Sequence, residues 1–197
     1  MDSNEALENV QYIKNMLIQT RSDSIDRNFG QMIVWGILVT ISCYISAYLN
    51  SVHLTDYKVT VWVICFSIGI SYSVNDSRKY YEKIKILNTI SKVFATLWYS
   101  SYAVFILVCF VPVLIGKTPL SDITVPIVSF ILAINYTVIA VAFQIKPVYV
   151  SSAVFYLCGI LSYFIPFELF DLLFGTAMLI GQVIPSLYLK YFSEAFH

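Results

Sequence analysis

The sequence predicts an all-α membrane protein: a compact bundle of six transmembrane helices, with an amphipathic cytoplasmic helix at the N-terminus and a basic helical cytoplasmic loop. Three observations predict it. Six apolar stretches fill most of the 197 residues: 31–50, 57–74, 93–116, 122–143, 147–165 and 167–189. A membrane-spanning helix needs about 17–25 mostly apolar residues. Second, hydrophobic residues are 58% of the chain and charged residues 12%, with a mean hydropathy of +0.75. A soluble domain carries roughly 25% charge, so this surface has to face lipid. Third, the basic residues fall on one side of the alternating segments.

Residues 1–30 form the N-terminal unit. Asp2 followed by Glu5 makes a start that resembles a capping box. Ala6, Val10, Ile13, Leu17 and Thr20 then share one face at helical spacing. The opposite face carries Glu5 and Glu8. Interfacial membrane helices are usually rich in Lys and Arg there, so the stripe is expected to pack on protein rather than on anionic lipid. No cleavable signal peptide is expected, because the terminus is acidic and polar rather than basic before an apolar run. The first span then acts as its own insertion signal.

Residues 31–190 form the membrane domain, interrupted by the cytoplasmic loop 75–92. That loop reads as a helix, capped by Asp76, with Tyr80, Ile84 and Leu87 on one face. Arg78, Lys79, Lys83 and Lys85 ring its other side. Such charge anchors a loop near anionic headgroups. A second role is a dock for the acidic N-terminal helix through pairs that are individually weak. The turn between spans four and five is short, with Pro147 in the first helical turn, where its missing N–H costs nothing. Pro112 and Pro185 should kink spans three and six, Pro185 leaving the Gly181 carbonyl free. Small residues at four-residue spacing, Ser42/Ser46, Ser67/Ser71, Gly69/Ser73 and Ala177/Gly181, permit close helix contact. Glu168 and Asp171 open span six, where a helix N-terminus favours anions.

Ten of the twelve basic residues lie in the N-terminal stretch, the second and fourth loops and the C-terminal end. Only Lys58 and Lys117 lie on the other side. The asymmetry of Lys and Arg in short loops sets orientation, so both termini, including the tail 191–197, are expected in the cytoplasm.

All six spans also offer a polar group at a similar depth. Asn135 lies nine residues from Gln144, and Gln182 eight from Lys190. Ser101 lies nine from Lys92, Thr40 nine from Gln31, Tyr156 nine from Pro147 and Ser67 seven from Val74. That puts the layer about 12 Å from the inner boundary. Its commoner use is interhelical hydrogen bonding, about 0.6 kcal/mol per bond. The sharper use is a narrow conduction path, against which stands the absence of charge at that depth.

Net charge is zero, so nothing favours nucleic acid. Cys43, Cys65, Cys109 and Cys158 all lie in apolar segments without CxxC spacing, so free thiols are expected and no metal or other cofactor. No catalytic motif is present, with no HExxH, GxSxG or phosphate-binding loop, so the chain is read as not an enzyme.

Three stretches carry a resemblance: Arg27-Asn28-Phe29-Gly30 leading into Trp35-Gly36, the turn Ala142-Phe143-Gln144-Ile145-Lys146-Pro147, and Ile180-Gly181-Gln182-Val183-Ile184-Pro185-Ser186-Leu187-Tyr188-Leu189-Lys190. Together they resemble a broad group of small six-span bacterial inner-membrane proteins. The resemblance implies the bacterial inner membrane as the place. It carries no activity and no functional residues.

The function expected is a non-enzymatic integral membrane protein acting as an oligomeric sensor, regulator or accessory factor. A membrane accessory of a bacterial stress or defence system belongs in this class. The partners expected are the lipid bilayer, further copies of the chain and a cytoplasmic protein. The alternative is a small channel or transporter that uses the polar layer.

Overall fold

The computed structural model describes residues 28–83, 96–101, 103, 104, 107 and 121–191. The expected N-terminal helix up to residue 27, most of the span 93–116, Lys85 and the residues after Tyr191 lie outside the described residues.

Among the described residues the secondary structure is helical throughout, with turns between helices and no strand. We label the helices α1 (Asn28–Ser51), α2 (Lys58–Lys83), α3 (Ser121–Phe143), α4 (Lys146–Leu161) and α5 (Phe167–Tyr191). A short helical segment, 96–101, lies between α2 and α3. Four of these helices, α1, α2, α3 and α5, are long and apolar enough to cross a membrane. The fourth helix in order, α4, is apolar but shorter.

The turns explain the helix ends. His53 and Gln144 adopt left-handed backbone, with φ of 57° and 55°. After α1, the Leu54 amide donates to the Leu49 carbonyl and the His53 amide to the Asn50 carbonyl. After α3, the Ile145 amide donates to the Ala140 carbonyl, and Ile145 itself is buried. These six-to-one bonds with an apolar residue just past the end are the Schellman arrangement, which satisfies carbonyls that a helix end leaves open. Both turns reverse the chain within a few residues, so neighbouring helices run antiparallel.

Two expected boundaries are corrected. The loop 75–92 does not begin a new element: α2 runs unbroken from Lys58 to Lys83, and Asp76 lies inside it rather than at a cap. Asn75 and Asp76 are polar but not helix-breaking, and Asp76 has a better use, accepting a hydrogen bond from Gln31 Nε2 at 2.8 Å. The expected span 147–165 also stops early, at Leu161. Ser162 Oγ donates to the Gly159 carbonyl, and the Tyr163 and Phe164 amides bond back three residues, which tightens the chain before Pro166.

Polar contacts align α1 with two antiparallel neighbours. Toward α2, Gln31 meets Asp76, and Trp35 Nε1 donates to Ser73 Oγ at 2.9 Å. Toward α5, Thr40 Oγ1 donates to the Gly175 carbonyl at 3.5 Å. At the far end Asp171 takes Lys58 Nζ at 2.7 Å and Asn50 Nδ2 at 3.5 Å, so one carboxylate ties α1, α2 and α5. Both ions are part-exposed, so the pair fixes register more than it adds stability. The Thr137 and Ser152 hydroxyls, 2.6 Å apart, join α3 to α4. Ser129 Oγ donates to Cys158 Sγ at 3.3 Å along the same seam. Cys43, Cys65 and Cys158 are free and buried.

Candidate functional site

A cavity of about 100 Å³ lies among α1, α2, the segment 96–101, α3 and α5. Its described wall is mainly aromatic and aliphatic. The chain holds three tryptophans, Trp35, Trp62 and Trp98, and all three line it. Each helix contributes side chains three or four residues apart, the spacing that puts them on one face. Trp35 and Val39 come from α1, Trp62 and Phe66 from α2. On α5 the set is Phe174, Met178 and Gln182. The rings are packed against one another: Phe66 lies 5.9 Å from both Trp35 and Trp62, centroid to centroid.

Only two polar residues stand in this wall, Ser101 and Gln182. Ser101 Oγ donates to the Leu97 carbonyl at 2.8 Å and accepts from Asn135 Nδ2 on α3. Gln182 is 2% exposed. Its Nε2 donates to the Met32 carbonyl of α1 at 2.8 Å. Its Oε1 is buried and meets no donor among the described residues. A buried acceptor without a donor costs about 1–3 kcal/mol; Ser46 Oγ on α1 is likewise buried and without a partner among the described residues.

The backbone around Gln182 is unusual as well. Leu179–Val183 forms a π turn, closed by the Ile184 amide on the Leu179 carbonyl. Pro185 explains its place. A proline two residues on would push its ring into the Gly181 carbonyl and offers no N–H to it. Widening the turn by one residue relieves that clash, and π turns recur at functional sites. The break expected at Pro185 thus takes the form of a wide turn carrying Gln182. Gly36 of α1 faces this turn: a Cβ there would lie 2.7 Å from Val183 Cγ2 and 3.3 Å from Gln182 Nε2. The bare glycine therefore lets the Gln182 amide reach the α1 backbone.

The expected polar layer divides. Thr40, Asn135 and Gln182 are buried, and Ser101 is half-buried. Asn135 joins Ser101, and Gln182 and Thr40 bind the backbones of α1 and α5 respectively. Ser67 and Tyr156 do not belong to it: both side chains are exposed on the outer surfaces of α2 and α4, and Ser67 Oγ bonds its own helix at Val63. Residue offsets give position along a helix, but not the face on which a side chain lies. Of the basic group, Arg78 and Lys79 are exposed near the end of α2, and Lys83 is its last residue. Among the described residues no cluster of His, Cys, Asp or Glu could hold a metal.

The tryptophans were the signal that sequence reading passed over. Tryptophan is enriched at membrane interfaces, whereas Trp62 and Trp98 each fall five residues inside an apolar run. One tryptophan in each of the first three runs was the available clue. No known protein family, curated protein or solved structure matches the chain.

Proposed function

We propose that this chain is a six-span, non-enzymatic integral membrane protein that acts as a sensor, regulator or accessory factor. In this reading it binds a small lipid-soluble molecule in the aromatic cavity rather than moving one across the bilayer. The observation that carries it is the described part of the cavity wall, with three tryptophans and with Ser101 and Gln182 as its only polar members. An ion path needs rings of carbonyls or charged side chains. The buried polar groups here are instead used between helices, as Asn135 with Ser101 and Gln182 with the Met32 carbonyl. Self-association is part of the proposal: α2 is the least covered of the long helices, and Ser67 and Ser71 lie exposed at a spacing that admits a second helix.

Flux into liposomes tests it against the channel reading. Wild-type protein should pass neither protons nor monovalent cations above the lipid blank. Asn135→Leu and Gln182→Leu should change thermal stability by about 0.6 kcal/mol per lost hydrogen bond and leave flux at the blank. Flux in the wild type that both variants abolish while still folded would establish the channel instead.

Placement in a bacterial inner membrane, with both termini cytoplasmic, is also proposed. It rests on the ten-to-two division of basic residues and on the resemblance above. Single cysteines placed at Ser51 or Thr118, in a chain whose own cysteines are replaced, should react with an impermeant maleimide in intact cells. A cysteine at Ser77 should react only after lysis, and labelling of Ser77 from outside would reverse the topology.

A further inference from the structure

We infer that the cavity takes a compact, uncharged molecule without hydrogen-bonding groups, a small hydrocarbon or halocarbon dissolved in the bilayer core. The inference rests on the ligand-binding reading above and names the class of its ligand.

The described wall has no charged side chain, and almost all the surface it turns to the cavity is apolar. Only two of its side chains hold an oxygen acceptor, Ser101 and Gln182. Ser101 Oγ gives its proton to the Leu97 carbonyl and is engaged by Asn135. Gln182 Oε1 is enclosed by protein, with almost no surface for a guest to touch, and Nε2 is held by the Met32 carbonyl. Trp35 Nε1 is likewise turned to Ser73 Oγ. A guest bearing a hydroxyl would therefore bury it without an acceptor, at a cost of about 1–3 kcal/mol.

Size and place narrow the class further. The volume of about 100 Å³ admits a body of only a few heavy atoms, smaller than the benzene-binding cavity of about 150 Å³ that sets the scale. The wall lies well inside α1, α3 and α5, away from their ends, so the surrounding phase is hydrocarbon. Its floor, Leu132, Phe174 and Met178, is buried, while the four rings of Trp35, Trp62, Phe66 and Trp98 are only half-buried. A guest leaving lipid gains nothing from transfer, since lipid is as apolar as the wall. Its gain is dispersion: a void leaves its lining short of contacts, and a guest that fits restores them among rings already packed in place. A compact molecule collects those contacts on all sides.

The tryptophans supply the readout. All three in the chain line the cavity, so a bound chlorinated quencher should dim most of the intrinsic emission. Full-length protein in lipid nanodiscs would be titrated with 1,1,1-trichloroethane and with 2,2,2-trichloroethanol, which adds a hydroxyl. Concentrations are expressed in the lipid phase, and empty-nanodisc partitioning is measured separately. We expect saturable quenching by trichloroethane, about tenfold tighter than by the alcohol. In Val128→Phe, which puts a ring into the cavity from α3, saturable quenching should vanish while thermal stability is kept. Saturable quenching that persists in the folded variant would overturn the inference. So would a wild type that binds the alcohol as tightly or more tightly. Linear quenching by both probes, the behaviour of a cavity already filled by the end of a lipid chain, would overturn it as well. The wild-type pair decides the matter even if the variant does not fold. Proton and cation flux on the same preparation separates this inference from the sensor reading. Selective binding of trichloroethane with flux keeps the inference and removes the sensor; tighter binding of the alcohol without flux does the reverse.

Discussion

Replacing Phe155 by alanine should destabilise the protein by about 3 kcal/mol, more than any truncation on the outer faces of α2 or α4. Phe155 is fully buried and stacks on Tyr136, with ring centroids 5.4 Å apart and planes within 3°. Tyr136 in turn meets the edge of Trp98 at 6.3 Å, and Phe155 meets Phe174 at 6.4 Å. One run of rings thus joins the segment 96–101, α3, α4 and α5. In a bilayer the transfer term is small, since lipid is as apolar as a core. What remains is the void and the lost dispersion contacts, which neighbours held on separate helices cannot close up to recover. That places the effect at the lower end of the usual range for a buried phenylalanine. Leu157, two residues on in the same helix and 58% exposed, is the control. Leu157→Ala should change stability by less than about 0.5 kcal/mol. Thermal unfolding in a mild detergent, checked by a second probe, measures both. Similar losses for the two variants would mean that the ring stack carries no special weight.

The same residues show what could be read before the structure. Runs of uncharged apolar residues set helix class and membrane length directly, so α1, α2, α3 and α5 were foreseeable in kind. Azimuth was not. These helices are apolar all round, so no stripe marks the face that turns inward. Depth alone grouped Ser67 and Tyr156 with Asn135 and Gln182, although the first two are exposed. The ends of α1 and α3 fall within a residue of those expected, 50 and 143, although the left-handed turn positions are filled by His53 and Gln144 rather than glycine. The end of α2 was not foreseen. Asn75 and Asp76 suggested a stop where the helix continues. At Pro185 the missing donor was evident, yet the choice of a π turn over a plain kink depends on Val183 and Gln182 packing against Gly36. Such a contact lies 146 positions away in the chain for Gln182 and leaves no local trace.

Gly36→Ala should destabilise the protein by about 2 kcal/mol, although alanine is the better helix former by about 1 kcal/mol. The added methyl would lie 2.7 Å from Val183 Cγ2, a separation that real Cβ contacts do not show. Val183 is buried and β-branched, so its side chain has one favoured rotamer in a helix and cannot swing clear. The helices α1 and α5 must then separate, which draws Gln182 Nε2 away from the Met32 carbonyl. Gly30 is the matched comparison on the same helix. A Cβ there meets only Lys190 Nζ, at 3.1 Å, the tip of a long flexible side chain. Gly30→Ala should therefore be neutral or slightly stabilising. The decisive variant is the double replacement Gly36→Ala with Val183→Ala. Removing the Cγ2 methyl gives the new methyl its space, so the double variant should be more stable than the sum of the single effects by about 1 kcal/mol or more. Unfolding temperatures for the four variants form a complete cycle. Strict additivity, or a Gly36→Ala protein as stable as Gly30→Ala, would show that α1 and α5 are not held at the distance on which the orientation of Gln182 depends.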